Sequence, residues 1–109
     1  MSNRAPAFFE TDYMANAALL RCPCCGDSYG LHHTKVEVFM REAEDSETGI
    51  HTTATSNNTF TDDFMGCNPS KRRDGIIIHL YCEHCEDYNI SLEIAQHKGV
   101  TLLQAVVGK

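Results

Sequence analysis

The 109-residue chain contains no tryptophan, only three prolines and only 8% aromatic residues. Few large rings are therefore available to fill a core. It has no apolar run long enough to cross a bilayer. Glu10, Asp12 and Asn16 interrupt the first twenty residues, so no secretory apolar region can be drawn there. These features lead us to expect a cytoplasmic protein. Basic residues are also scarce: nine Lys and Arg stand against fifteen Asp and Glu, for a formal charge of −6. A field of that sign repels phosphate backbones and disfavours general nucleic-acid binding. The chain has no glycine-rich phosphate loop, no HExxH and no GxSxG, and we expect no catalysis. Asp62, Asp63 and Asp74 can be imagined beside His51 or His79 as an acid/base group, but nothing in their spacing requires it.

The length fits one domain over residues 1–109, which buries roughly 60 to 70% of its unfolded surface. A core of that size benefits from a staple, and the six cysteines are the obvious source. In a reducing cytosol, clustered cysteines point to metal or redox chemistry rather than to structural disulfides.

Three segments alternate with a period of two. Val36, Val38 and Met40 alternate with Lys35, Glu37 and Phe39. Ile76, Ile78 and Leu80 alternate with Ile77, His79 and Tyr81, and Ile90, Leu92 and Ile94 with Ser91 and Glu93. That period marks half-buried strands and puts these apolar residues on one shared buried face. With the shorter stretch 17–22 they suggest two hairpins, 17–22 with 31–41 and 75–82 with 88–97. The fold class is therefore mostly β, a small antiparallel sheet. Residues 11–20 also carry a helical spacing, with Thr11 or Asp12 as a cap, although the same letters serve the first strand. A long insert, about 43–74, separates the hairpins. Within it, 50–55 suits an edge strand, and Phe60, Phe64 and Met65 suit a cover over the sheet. The end, 98–108, suits a last strand or a helical turn.

The strongest signal is cysteine spacing. Cys22 and Cys25 form one CxxC, and Cys82 and Cys85 form another, each where a strand runs into a turn. Two such turns present four thiolates, the donor set of a tetrahedral zinc site, with one Zn2+ per chain. Iron suits the same donors. Pro23 fixes φ at the start of the first turn, and Gly26 lets the backbone curl toward the sulfurs. Cys24 reads as a spectator thiol with the option of replacing Cys25, and Cys67 as a small buried or half-buried residue. His32, His33 and His84 are candidates to hydrogen-bond the ligands, although a strand-edge or solvent-facing position suits them equally.

Cys22-Pro23-x-Cys25-Gly26 together with Cys82-x-x-Cys85, each flanked by strands, resembles the zinc-ribbon family and its CPxCG knuckle. It is also similar to small uncharacterised zinc-ribbon proteins of bacteria and phages. The resemblance spans about residues 19 to 97 and implies a ribbon fold and a bound zinc, but no single activity. Cys24, the long insert and the missing glycine after Cys85 depart from the simple pattern. The expected function is a zinc-stabilised module that binds a protein. One alternative is a nucleic-acid-binding ribbon using Lys71, Arg72 and Arg73, helped by Lys35, Arg41 and Lys98 and by stacking on Tyr81 and Tyr88. Another is an accessory protein of a phage or mobile element that blocks a host complex.

Overall fold

The computed structural model describes residues 3–6, 8–14 and 17–108, with side chains from residue 19 onward. The chain is mostly β, and no helix occurs among the described residues. The described residues form nine strands in order: β1 (Asn3–Pro6), β2 (Phe8–Met14), β3 (Ala17–Arg21), β4 (Leu31–Arg41), β5 (Gly49–Ala54), β6 (Thr59–Asp62), β7 (Gly75–Cys82), β8 (Asn89–His97) and β9 (Val100–Gly108). Seven form one antiparallel sheet in the order β1-β9-β8-β7-β4-β5-β6, and β2 pairs with β3 apart from it.

The second expected hairpin is present: β7 and β8 pair from Gly75↔Ala95 to Leu80↔Ile90. The first is not. β3 pairs with β2, and β4 takes β7 and β5 as its neighbours. The helical reading of 11–20 is likewise replaced by strand at 11–14 and 17–20, with Met14 opposite Ala17; residues 15 and 16 lie outside the described residues. Aromatic residues at 8, 9 and 13 favour an extended chain over a helix, and Leu19 and Leu20 gain burial beside the large sheet. The C-terminal segment becomes β9, paired with β8 along its whole length.

Which face is buried changes along the sheet: near the cysteine turns Ile90 (2% exposed), with Cys82 and Ala105, is buried on the face the alternation suggests, whereas around Phe39 the opposite face is buried. Val36, Val38, Ile76, Ile78, Leu92 and Ile94 are only half-buried, and Met40 and Ile50 beside them are 49% and 58% exposed. At the Phe39 end the fully buried positions lie on that opposite face, where Phe39 (0% exposed), Ile77 and Met65 form one cluster. His51 and Glu93, also buried, belong to the same side by register. The insert causes this inversion. Its last part, 64–74, folds back over the sheet, placing Met65 on Phe39 and Ile77 and Ser70 Oγ as donor to the Gln96 carbonyl. Gly75 allows the approach, since a Cβ there would run into Asn68 Oδ1 and the Pro69 ring.

The insert is also ordered where a loop was expected. β5 and β6 form a hairpin within it, so 50–55 becomes an interior strand and β6 takes the edge. Arg41 secures the rest by donating to three backbone carbonyls: Nη1 to Ser46 (2.5 Å), Nη2 to Ser70 (2.7 Å) and Nε to Arg73 (2.9 Å). Its own amide donates to Asp74 Oδ1 at 2.8 Å.

This inversion is testable by paired substitutions on adjacent β4 residues. Phe39→Ala is expected to cost about 3 to 5 kcal/mol in urea unfolding, and Met40→Ala less than about 1 kcal/mol. Equal losses at both positions would contradict the assignment of faces.

Candidate metal centre

The first turn begins where β3 ends. The Gly26 amide donates to the Cys22 carbonyl at 2.8 Å, and the Cys22 amide to the Asp27 carbonyl at 2.8 Å. Gly26 closes this loop at φ 81°, a left-handed conformation that glycine adopts without strain. The second turn follows β7 and is drawn in by Cys85 N–H to Cys82 C=O and Tyr88 N–H to Cys85 C=O, both at 3.1 Å. A bulge between His33 and Lys35 of β4 shifts the register. It lets Leu31 share the face of Val36 despite the change in numbering parity, and Leu31 sits opposite Cys82.

The sulfur atoms of Cys22, Cys25, Cys82 and Cys85 all lie within 4.8 Å of one another. Those of Cys25 and Cys82 stand 3.8 Å apart. Four thiolates at about 2.3 Å from a tetrahedral ion have sulfurs spaced about 3.8 Å apart, so the donor set fits a metal of zinc-like size. Cys22, Cys82 and Cys85 are buried with Ile90, packed by Leu31, Leu80 and Cys24, while Cys25 is exposed. Among the described residues no cysteine is in a disulfide.

Backbone amides point at the sulfurs, as thiolate ligands require. The Cys24 amide donates to Cys22 Sγ at 3.4 Å. The Asp27 amide donates to Cys25 and is the main reason its thiol is shifted down from the ordinary value. Burial shifts the thiols of Cys82 and Cys85 up, and for Cys85 the neighbouring Cys24 thiol adds to the effect. The His84 amide donates to Cys82 and partly offsets the shift there.

The candidate supporting histidines are near the site but bind carboxylates. His32 Nε2 meets Glu83 Oε2 at 2.6 Å, and His84 Nε2 meets Asp27 Oδ2 at 3.5 Å. The first pair ties β4 to the second turn and the second ties the two turns together, while the Glu83 amide donates to the Gly30 carbonyl, just before β4, at 2.9 Å. These ion pairs are at the surface and each contributes little. His33 borders an apolar cleft on the sheet face. Cys24 packs against the cluster outside the set of four, and Cys67 is exposed in the insert rather than buried.

The basic trio is largely engaged by acidic neighbours. Arg72 binds Asp45 and Glu44 at 2.7 Å each, Arg73 binds Glu44 at 3.2 Å, and Lys71 is exposed. Arg41 is committed to the carbonyls of the insert. Tyr81 donates its hydroxyl to Glu86 at 2.8 Å.

A second polar cluster contains one residue the sequence did not single out, Glu37. Its carboxylate lies between His51 Nε2 (2.8 Å) and His79 Nε2 (2.5 Å), and His51 Nδ1 meets Asp62 at 2.8 Å. Asp74 is engaged elsewhere, accepting the Arg41 amide at 2.8 Å, and Asp63 is exposed. Glu37 stands in the same alternating set of β4 as Phe39, the one sequence clue to its role.

Compared with protein-family models, curated proteins and solved structures, the chain shows no match. The four cysteines cluster at metal-binding distance, an arrangement consistent with a zinc-ribbon-like site. No helix among the described residues is long and apolar enough to cross a membrane.

Cys25→Ser and Cys82→Ser are each expected to lower bound metal below one ion per chain, measured by elemental analysis of the purified protein. Chelation of the parent protein is expected to abolish cooperative unfolding, because metal affinity in such sites is largely folding free energy. A full metal equivalent retained by both variants would overturn the ligand assignment.

Proposed function

We propose that the chain is a small zinc-stabilised module that acts by binding another protein. The main support is the pairing of a closed four-sulfur set with an apolar sheet face that is partly exposed among the described residues. Four thiolates suit Zn2+ in charge, softness and geometry, and they leave no position for a reacting water. Such a centre holds structure and leaves function to the surface it supports.

The exposed face offers that surface. Met40, Ile50 and Leu103 are 40 to 58% exposed on it. Between the β3 leucines and the sheet it deepens into a cleft of about 540 Å³ lined by Leu19, Leu31, Val36, Ile78, Leu80 and Leu92. Exposed apolar side chains gathered beside such a cleft are the kind of surface that protein partners cover. Asp27, Glu83, Glu86 and Asp87 are exposed at the cysteine end of the same sheet. The partner that fits is a protein presenting an apolar segment flanked by Lys or Arg.

The nucleic-acid reading is weaker, because Arg72 and Arg73 already face Glu44 and Asp45. A phosphate would have to displace those carboxylates and approach a chain of net charge −6.

Met40→Glu combined with Ile50→Glu changes two exposed side chains and is expected to leave metal content intact. Capture from nuclease-treated host lysate should yield a protein that the parent chain retains and the double variant loses by at least about tenfold, or 1.4 kcal/mol. Equal retention by both would remove this face from the proposal. Capture that depends on nucleic acid would favour the alternative reading.

A further inference from the structure

His51 is 7% exposed and sits in the middle of the second polar cluster. Its ring stacks on Phe39 with centroids 4.3 Å apart and planes within 5°. Phe64 covers it at a tilt, with centroids 6.5 Å apart. Both ring nitrogens face carboxylate oxygens, Nε2 toward Glu37 of β4 and Nδ1 toward Asp62 of β6, each at 2.8 Å. A neutral imidazole has one N–H and one bare lone pair. With two ionised carboxylates, one of these contacts would set lone pair against lone pair inside the protein.

The surrounding hydrogen bonds indicate that both carboxylates are ionised. Glu37 also faces His79 Nε2 of β7, and its carboxyl is held below the ordinary range by hydrogen bonds from His79 and His51 against the opposing effect of burial. Asp62 accepts the Phe64 amide at 2.9 Å through the oxygen that faces His51, and that amide is the largest cause of its lowered pKa. Thr53 Oγ1 lies 3.3 Å from His51 Nε2 on the same strand and carries no charge. On this face β8 contributes Glu93, across β7 from Glu37 by register.

We propose that His51 carries a proton on both ring nitrogens, and that this imidazolium locks the β5–β6 hairpin and the Phe64–Met65 cover onto the sheet in a pH-dependent way. The contact expected to yield first is the one to Asp62. Its side chain is 58% exposed and water can replace the histidine, whereas Glu37 is 13% exposed and has no such substitute. As pH rises and His51 loses one proton, Nε2–H stays on Glu37, Nδ1 becomes a bare acceptor facing Asp62, and β6 is pushed from the edge of the sheet. At acid pH the sign reverses. Glu37 and Asp62 have lowered values in the fold, so the stability they contribute is lost as pH falls through those values, below the ordinary carboxylate range. The lock therefore holds between two limits.

The test uses the metal-loaded, unmodified protein. Long-range proton–nitrogen NMR at pH 7, with His51 assigned through bonds from its own backbone, is expected to show two protonated ring nitrogens. A bare nitrogen shift for either one overturns the proposal, whether the proton then resides on a carboxylate or nowhere in the cluster. Amide hydrogen exchange, corrected for its intrinsic pH dependence, is the second measurement. Residues 59–62 should exchange at least about tenfold faster once His51 has lost a proton, while β7 amides stay protected. Flat exchange in β6, or parallel loss in β7, overturns the lock. Asp62→Asn keeps an acceptor oxygen without the charge and should move β6 release to lower pH; no movement would count against Asp62 as the contact that yields.

Discussion

The convergence of two cysteine turns from distant points in the chain is the constraint on which the rest of the structure depends. Cys25 and Cys82 are 57 positions apart, yet their sulfurs lie 3.8 Å from each other. Closing so long a loop is entropically costly, and an ion shared by the four thiolates would offset the cost. Once joined, the turns fix the end of β7 against the start of β4, with Leu31 opposite Cys82. The long β4–β7 ladder extends from that anchor toward Phe39 and Gly75, so the sulfur cluster sets the register of the two central strands.

The opposite end of the sheet is organised by the insert. Its fold-back provides the apolar lid that a chain without tryptophan otherwise lacks, through Met65 on Phe39 and Ile77. It also buries polar groups, which have to find partners there. Among the described residues, every buried side-chain nitrogen or oxygen has a hydrogen-bond partner. The polar network around His51 and the apolar contacts around Phe39 thus share one layer, joined by the stacked rings.

The sequence was most legible where chemistry demands a fixed spacing. Two CxxC pairs at strand ends specified four residues, and these are the four whose sulfurs cluster. Period-two alternation located β4, β7 and β8 well, because it reflects backbone geometry within one strand. It named the right face at Ile90, beside the cysteines, and the wrong one around Phe39. Alternation separates two sets of residues without saying which one receives a cover, and the cover came from a segment with no clear period of its own. Phe39, the one large ring in β4, stood in the set that looked polar. Pairing of 17–21 was misread because adjacency in sequence suggested β4, while β2 was the available neighbour. The Glu37, His51 and His79 cluster depends on the registers β4–β5 and β4–β7 together, and no local window contains both.

Arg41 holds the insert by its main chain. The three oxygens it engages belong to the peptide units of Ser46, Ser70 and Arg73, which every amino acid carries. At Ser46 and Arg73, therefore, this anchorage is indifferent to the identity of the side chain. The outward surface of the segment is free to diversify over evolutionary time while its seat on the sheet is preserved, provided that one guanidinium stays in place.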